Sequence, residues 1–144
     1  MNRNLIGILS LVVMSLLLNA TGAYAQSYAK ANVPFAFTVG SAQLPAGTYE
    51  VRTLGAGNSS IVIQNRETSA AAMSNAGREQ PRSTSAKLVF HRVGNSYFLA
   101  EVWRSSTAEG MIIPASRQEK DLSKELQLAK GPSGGYEEVV IALN

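Results

Sequence analysis

The chain has 144 residues, 13 of them Lys or Arg against 10 Asp or Glu, with one histidine and no cysteine. Without cysteine there are no disulfides, thiol nucleophiles, redox pairs or Cys-based zinc sites, and a lone histidine is too few for most catalytic triads and first-row metal sites. A net charge of +3 is too mild to point to nucleic acid or an anionic surface.

Asn2-Arg3-Asn4 opens the chain with one positive charge, and Leu5 to Leu18 is apolar except at Gly7, Ser10 and Ser15. Ala23-Tyr24-Ala25 then supplies the small-x-small pattern that signal peptidase accepts. The order predicts a secretory signal peptide over residues 1–25, cut before Gln26. The apolar run is shorter than the ~20 residues that cross a bilayer, so no transmembrane span is expected after cleavage. No lipid-bearing cysteine and no Arg-Arg pair is present, which leaves the general secretory route and a periplasmic or extracellular destination. Residues 26–144 are read as a single antiparallel β-domain of 119 residues.

Gln26 to Asn32 reads as a polar lead. Val33, Phe35, Phe37 and Val39 alternate with Pro34, Ala36 and Thr38, which predicts a half-buried strand with both phenylalanines facing the core. Pro34 lacks an amide N–H and belongs at the start or edge of that strand. Gly40 to Gln43 is a turn or short loop, and Pro45 and Gly47 suit a tight turn. Thr48 to Thr53 resumes alternation, with Tyr49 and Val51 on one side and Glu50 and Arg52 on the other. After a turn at Gly55–Asn58, Ser60–Gln64 is a β-branched strand. Asn65–Ser69 reverses the chain so that Ala70–Ser74 pairs back. Asn75 to Ala86 is polar and aperiodic and reads as a surface loop.

Lys87–Val93 and Ser96–Arg104 are two strands joined by Gly94-Asn95, the signature of a two-residue primed turn. A regular register pairs Arg92 with Tyr97, Phe90 with Leu99 and Leu88 with Glu101. Val89, His91, Val93, Phe98, Ala100 and Val102 fall on the opposite side. Both faces are apolar, so the hairpin should be central and covered twice. The second cover is a short helix at about 116–126. Ser116 and Glu119 form a capping box there, and Leu122 and Leu126 share a face. Gly131–Gly135 ends it, and Glu137–Leu143 is a last strand. The fold class is mainly β: a small antiparallel β-sandwich or barrel with one short α-helix.

No motif assembles a nucleophile, a metal set or a phosphate loop, and no cofactor or nucleic-acid partner is expected. His91 sits on a central strand as a packed residue, or as a pocket residue beside Glu101 or Arg104. Glu101, flanked by Ala100 and Val102, reads as a partner of Arg92 or Arg104. The ligand-binding candidates are Arg92, Tyr97, Glu101 and His91, polar groups that interrupt an apolar hairpin. Tyr49, Tyr97, Phe98 and Trp103 are either core or an aromatic platform suited to sugars.

The Phe35-x-Phe37-x-Val39-Gly40 segment, followed by Leu44-Pro-Ala-Gly-x-Tyr49, resembles a group of small secreted bacterial β-proteins of no assigned activity. Lys87-Leu-x-Phe-x-Arg92 and Tyr97-Phe-Leu99 are similar to them too. The resemblance implies export and a β-fold, and carries no activity, ligand or catalytic residue. The expected function is an exported non-enzymatic β-domain, a binding or envelope-associated module. The alternative is a small-molecule carrier or enzyme with its site at the open end of the barrel. Self-association through an edge strand, either the one with Pro34 or the C-terminal one, is the partner expectation.

Overall fold

Period-two alternation sorts most of the chain into two curled sheets. The computed structural model describes residues 29–54, 60–79, 85–104, 110–131 and 135–144; the expected leader, the Gly55–Asn58 turn and part of the 75–86 loop lie outside them. The first sheet holds β1 (Ala29–Val33), β4 (Gly47–Leu54), β5 (Ser60–Gln64) and β6 (Ala71–Asn75), antiparallel in the order β1-β4-β5-β6. The second holds β7 (Gly77–Glu79), β8 (Lys87–Val93), β9 (Ser96–Trp103), β10 (Gly110–Ile112) and β11 (Glu137–Ala142), in the order β11-β8-β9-β10-β7. A small hairpin of β2 (Phe37–Val39) and β3 (Ala42–Leu44) joins it where Thr38 pairs in parallel with Phe98. One α-helix, α1 (Arg117–Lys130), completes the described residues.

The two sheets are joined at both margins. Ala76 alone separates β6 in the first sheet from β7 in the second. At the other margin, past the end of β11, Asn144 exchanges both of its backbone hydrogen bonds with Lys30 of β1, each at 2.9 Å. The result is a barrel-like enclosure of mainly β structure with one short helix outside it, as the alternation implies.

Several local expectations change. Val33 to Val39 is not one strand: the chain leaves β1 at Pro34, which has no N–H for a ladder, and enters the other sheet at Phe37. The polar lead already contains most of β1. Gly40, at φ 60°, is the tight turn, and the residues after it pair back as β3, a strand the pattern did not show. Part of the aperiodic 75–86 segment is β7, a strand too short for its pattern to show, and Met111 belongs to its partner β10. The helix runs on to Lys130, because Gln127 to Lys130 are good helix formers and Gly131, at φ 78°, caps it by donating its N–H to Gln127.

The β8–β9 turn forms as read, with Gly94 at φ 63° between the paired Val93 and Ser96. The register then breaks. Phe90 pairs with Leu99, but Val89 pairs with Glu101, which leaves Ala100 as the extra residue of a β-bulge. Leu88 therefore faces Val102, not Glu101. The bulge rotates Val102 into the interior and keeps the Glu101 carboxylate out of it, where it would be buried without a partner. The carbonyl of Ala100 is not orphaned, since Ile113 donates its N–H to it at 2.8 Å.

Inside, Phe37 meets Tyr49 and Phe90 edge to face, with ring centroids 5.1 and 5.2 Å apart. Such pairs add about 0.5–1.5 kcal/mol beyond simple burial. Val33, Val51, Ile61, Ile63, Leu88 and Val102 close around them with no more than 2 % exposure. Val89, Val93, Phe98 and Trp103 are also buried but stand outside that cluster, on the hairpin's other side. The hairpin is thus central, covered by the interior on one face and by α1 packing on β8 at the other.

Tyr49 donates its hydroxyl to the Pro45 carbonyl, and burial pushes its phenol above the ordinary value of 10.0, offset in part by a hydrogen bond with Asn65. A phenol raised in the folded state favours the protonated form there. Its contribution is complete below about pH 10 and is lost as pH rises through the folded value. Chemical denaturation followed between pH 8 and 12 should show stability falling above about pH 10, and Tyr49→Phe should remove that component of the slope. An unchanged slope in Tyr49→Phe would contradict the assignment.

Candidate functional site

Residues 91 and 92 are neighbours on β8, so their side chains leave the sheet on opposite faces. This separates the four residues singled out in the sequence. Arg92 and Tyr97 are brought together: they are register partners, and the guanidinium lies 5.8 Å from the ring centroid. Tyr97 in turn stacks on Phe35 at 3.9 Å with an interplanar angle of 15°. Arg92 also donates to the Gly94 carbonyl at 3.2 Å and lies 3.5 Å from a Glu137 carboxylate oxygen.

His91 points to the helix side. Its Nδ1 lies 2.8 Å from Glu119 Oε1, not beside Glu101 or Arg104. Glu119 explains the change. Its backbone N–H donates to Ser116 Oγ, one half of the capping box, while its carboxylate is committed to the sheet. The pair bolts the first turn of α1 to β8, with both side chains largely buried. Glu101 accepts from the Trp103 indole Nε1 at 2.6 Å, not from Arg92 or Arg104. Arg104 instead donates to Thr53 at 3.0 Å.

Of the two readings of the aromatics, core and platform, the structure has the first for most of them. Tyr49, Phe98 and Trp103 are buried, and Tyr97 lies between Phe35 and Arg92. Among the described residues the exposed ring is Tyr136, 53 % accessible and stacked on His91 with centroids 3.7 Å apart. It stands in a depression of about 350 Å³ lined by Arg92, Gly94, Leu126, Lys130, Tyr136 and Glu137, together with Gly135. Three elements meet here: the β8–β9 turn, the last turns of α1 and the start of β11. Tyr136, Lys130 and Glu137 escaped the sequence reading because none lies in a motif. Only the helix's extension to Lys130 and the pairing of Glu137 with Arg92 bring them to the turn.

A larger hollow of about 610 Å³ lies along Lys124, Gln127, Leu128 and Gly131, and holds none of the predicted residues. Among the described residues no group of three His, Cys, Asp or Glu side chains could hold a metal ion, and no helix is long and apolar enough to cross a membrane. No protein family, curated protein or solved structure matches the chain.

The bolt makes a quantitative demand. In a double-mutant cycle, His91→Ala and Glu119→Ala should show a coupling of about 0.5–3 kcal/mol in unfolding free energy. His91→Ala and Glu101→Ala should add within about 0.5 kcal/mol. Coupling of His91 to Glu101 instead would place the histidine wrongly.

Proposed function

We propose that the chain is an exported, non-enzymatic β-domain that acts as a binding or envelope-associated module. The observation that carries this reading is where the space lies. The interior is filled by Phe37, Tyr49, Phe90 and the aliphatic residues around them. Two polar groups of the hairpin are held by structural partners, His91 by Glu119 and Glu101 by Trp103, whereas Arg92 and Glu137 are exposed and only 3.5 Å apart at the depression's edge. Among the described residues, the open spaces lie on the outside: the polar depression around Tyr136 and the larger hollow along Lys124, Gln127, Leu128 and Gly131. Recognition of a surface group suits such places better than enclosure of a reacting substrate does.

The carrier or enzyme reading keeps one supporting observation, that Arg92 lines the depression at an end of the hairpin. Of its other three residues, Tyr97 is packed against Phe35, while His91 and Glu101 hold the partners just named.

Expression of the full chain in a bacterial host tests both parts. The mature protein is expected in the osmotic-shock fluid or the medium, beginning at Gln26 by mass spectrometry, and a thermal-shift screen should find stabilising ligands without turnover. A full-length chain confined to the cytoplasm would overturn export. Turnover of any screened ligand, abolished by Arg92→Ala, would overturn the non-enzymatic reading.

A further inference from the structure

We infer that the depression at Tyr136 is a saccharide subsite, an inference that rests on the binding reading above and gives it a ligand class. The first observation is the ring. Tyr136 is half exposed although it is stacked on another aromatic, so its position is held without its surface being used up. The stack is anchored from below: His91 is fixed by Glu119, which is itself fixed by the N-cap of α1. A flat apolar ring presented in one orientation suits the C–H face of a pyranose, and its preorganisation lowers the entropy lost on binding.

The second observation is the polar rim. Arg92 and Lys130 bring only donors and Glu137 brings an acceptor. Sugar hydroxyls both donate and accept, so they can use all three. An anion fits less well. Arg92 already faces Glu137, and Lys130 ends a helix whose terminal carbonyls carry partial negative charge. A cation would meet two positive side chains. With side chains of both signs around the exposed ring, a neutral polyol that both donates and accepts can use more of the rim than an ion of either sign.

The third observation is size and shape. The volume of about 350 Å³ lies near the small end of ligand sites, which run from roughly 300 to 1,000 Å³. Leu126 adds an apolar side chain to the lining, and Gly94 and Gly135 add none that would narrow it.

The test is an amide-resolved NMR titration of the mature protein with cellobiose and with the disaccharide of N-acetylglucosamine. Saturable shifts are expected at Gly94, Leu126, Lys130, Gly135, Tyr136 and Glu137, with dissociation constants of about 1 mM. Tyr136→Leu and Arg92→Ala should each weaken binding about tenfold, whereas Tyr136→Phe should stay within about threefold and Leu128→Ala should change nothing. Tyr136 is exposed, so its variants keep the fold. Retention on insoluble cellulose or chitin, lost in Tyr136→Leu, would assign the sugar to a polymer. Binding of the soluble disaccharides alone would assign it to free sugar.

Absence of shifts up to about 50 mM of either disaccharide would overturn the inference, as would wild-type affinity in Tyr136→Leu. If sugars fail while the thermal-shift screen finds another ligand, the binding reading survives and the saccharide does not. If both fail, both fall.

Discussion

The β8–β9 hairpin is largely apolar on both of its faces, and a ribbon of that kind loses about 1.5–3 kcal/mol for every large apolar side chain it leaves in water. It therefore has to be covered twice. The curled sheets supply one cover, in which Phe37, Tyr49 and Phe90 interlock. Helix α1 supplies the other, bolted through His91 and Glu119 and reaching the turn with Leu126. The bulge at Ala100 follows from the same constraint. Strict alternation through Glu101 would have put a carboxylate into the aromatic interior, and one extra residue avoids this without interrupting the strand.

With no cysteine, the covers have to be held by backbone pairing and close packing. Asn144 and Lys30 stitch one margin, and the run through Ala76 makes the other covalently continuous. Trp103 shows how tight the packing is: a Cβ on Gly110 would lie 2.6 Å from its ring, so only glycine lets β10 approach there. On the outer face of the first sheet, Glu50 is buried but accepts from Arg66 at 2.8 Å, with Lys30 3.9 Å away. The domain is closed by contacts between residues far apart in the chain, so its stability is a property of the whole enclosure.

That non-local character decides what the sequence could show. Tyr49/Val51 against Glu50/Arg52, the SIVIQ strand, the Gly94 turn and the Ser116 cap were legible because each is a local pattern with a local cause. Strands β7 and β10 were not, since three residues carry no period and each is a strand only through its non-local partners, β10 for β7 and both β9 and β7 for β10. The bulge was invisible for a related reason: Ala100 is an ordinary strand residue, and only the environment of Glu101 demands the slip. The candidate site was half legible. Arg92 and His91 stood out as polar residues in an apolar hairpin. Glu119 looked like a capping residue and nothing more, and Tyr136 followed a glycine-rich stop that gave no hint of its neighbours.

His91 links the architecture to the proposed site. On its Nδ1 side it holds the helix to the sheet; its ring face carries Tyr136. The contact that fixes the second cover therefore also orients the exposed aromatic, so the platform draws its order from the core of the fold. A binding surface made of loop residues alone would have to be ordered on binding, with the loss of entropy that entails. Here the turn, the end of α1 and the start of β11 are placed by the burial of other residues. The depression between them is a by-product of covering the hairpin, and a shallow aromatic surface already in position needs little further structure to recognise a ligand.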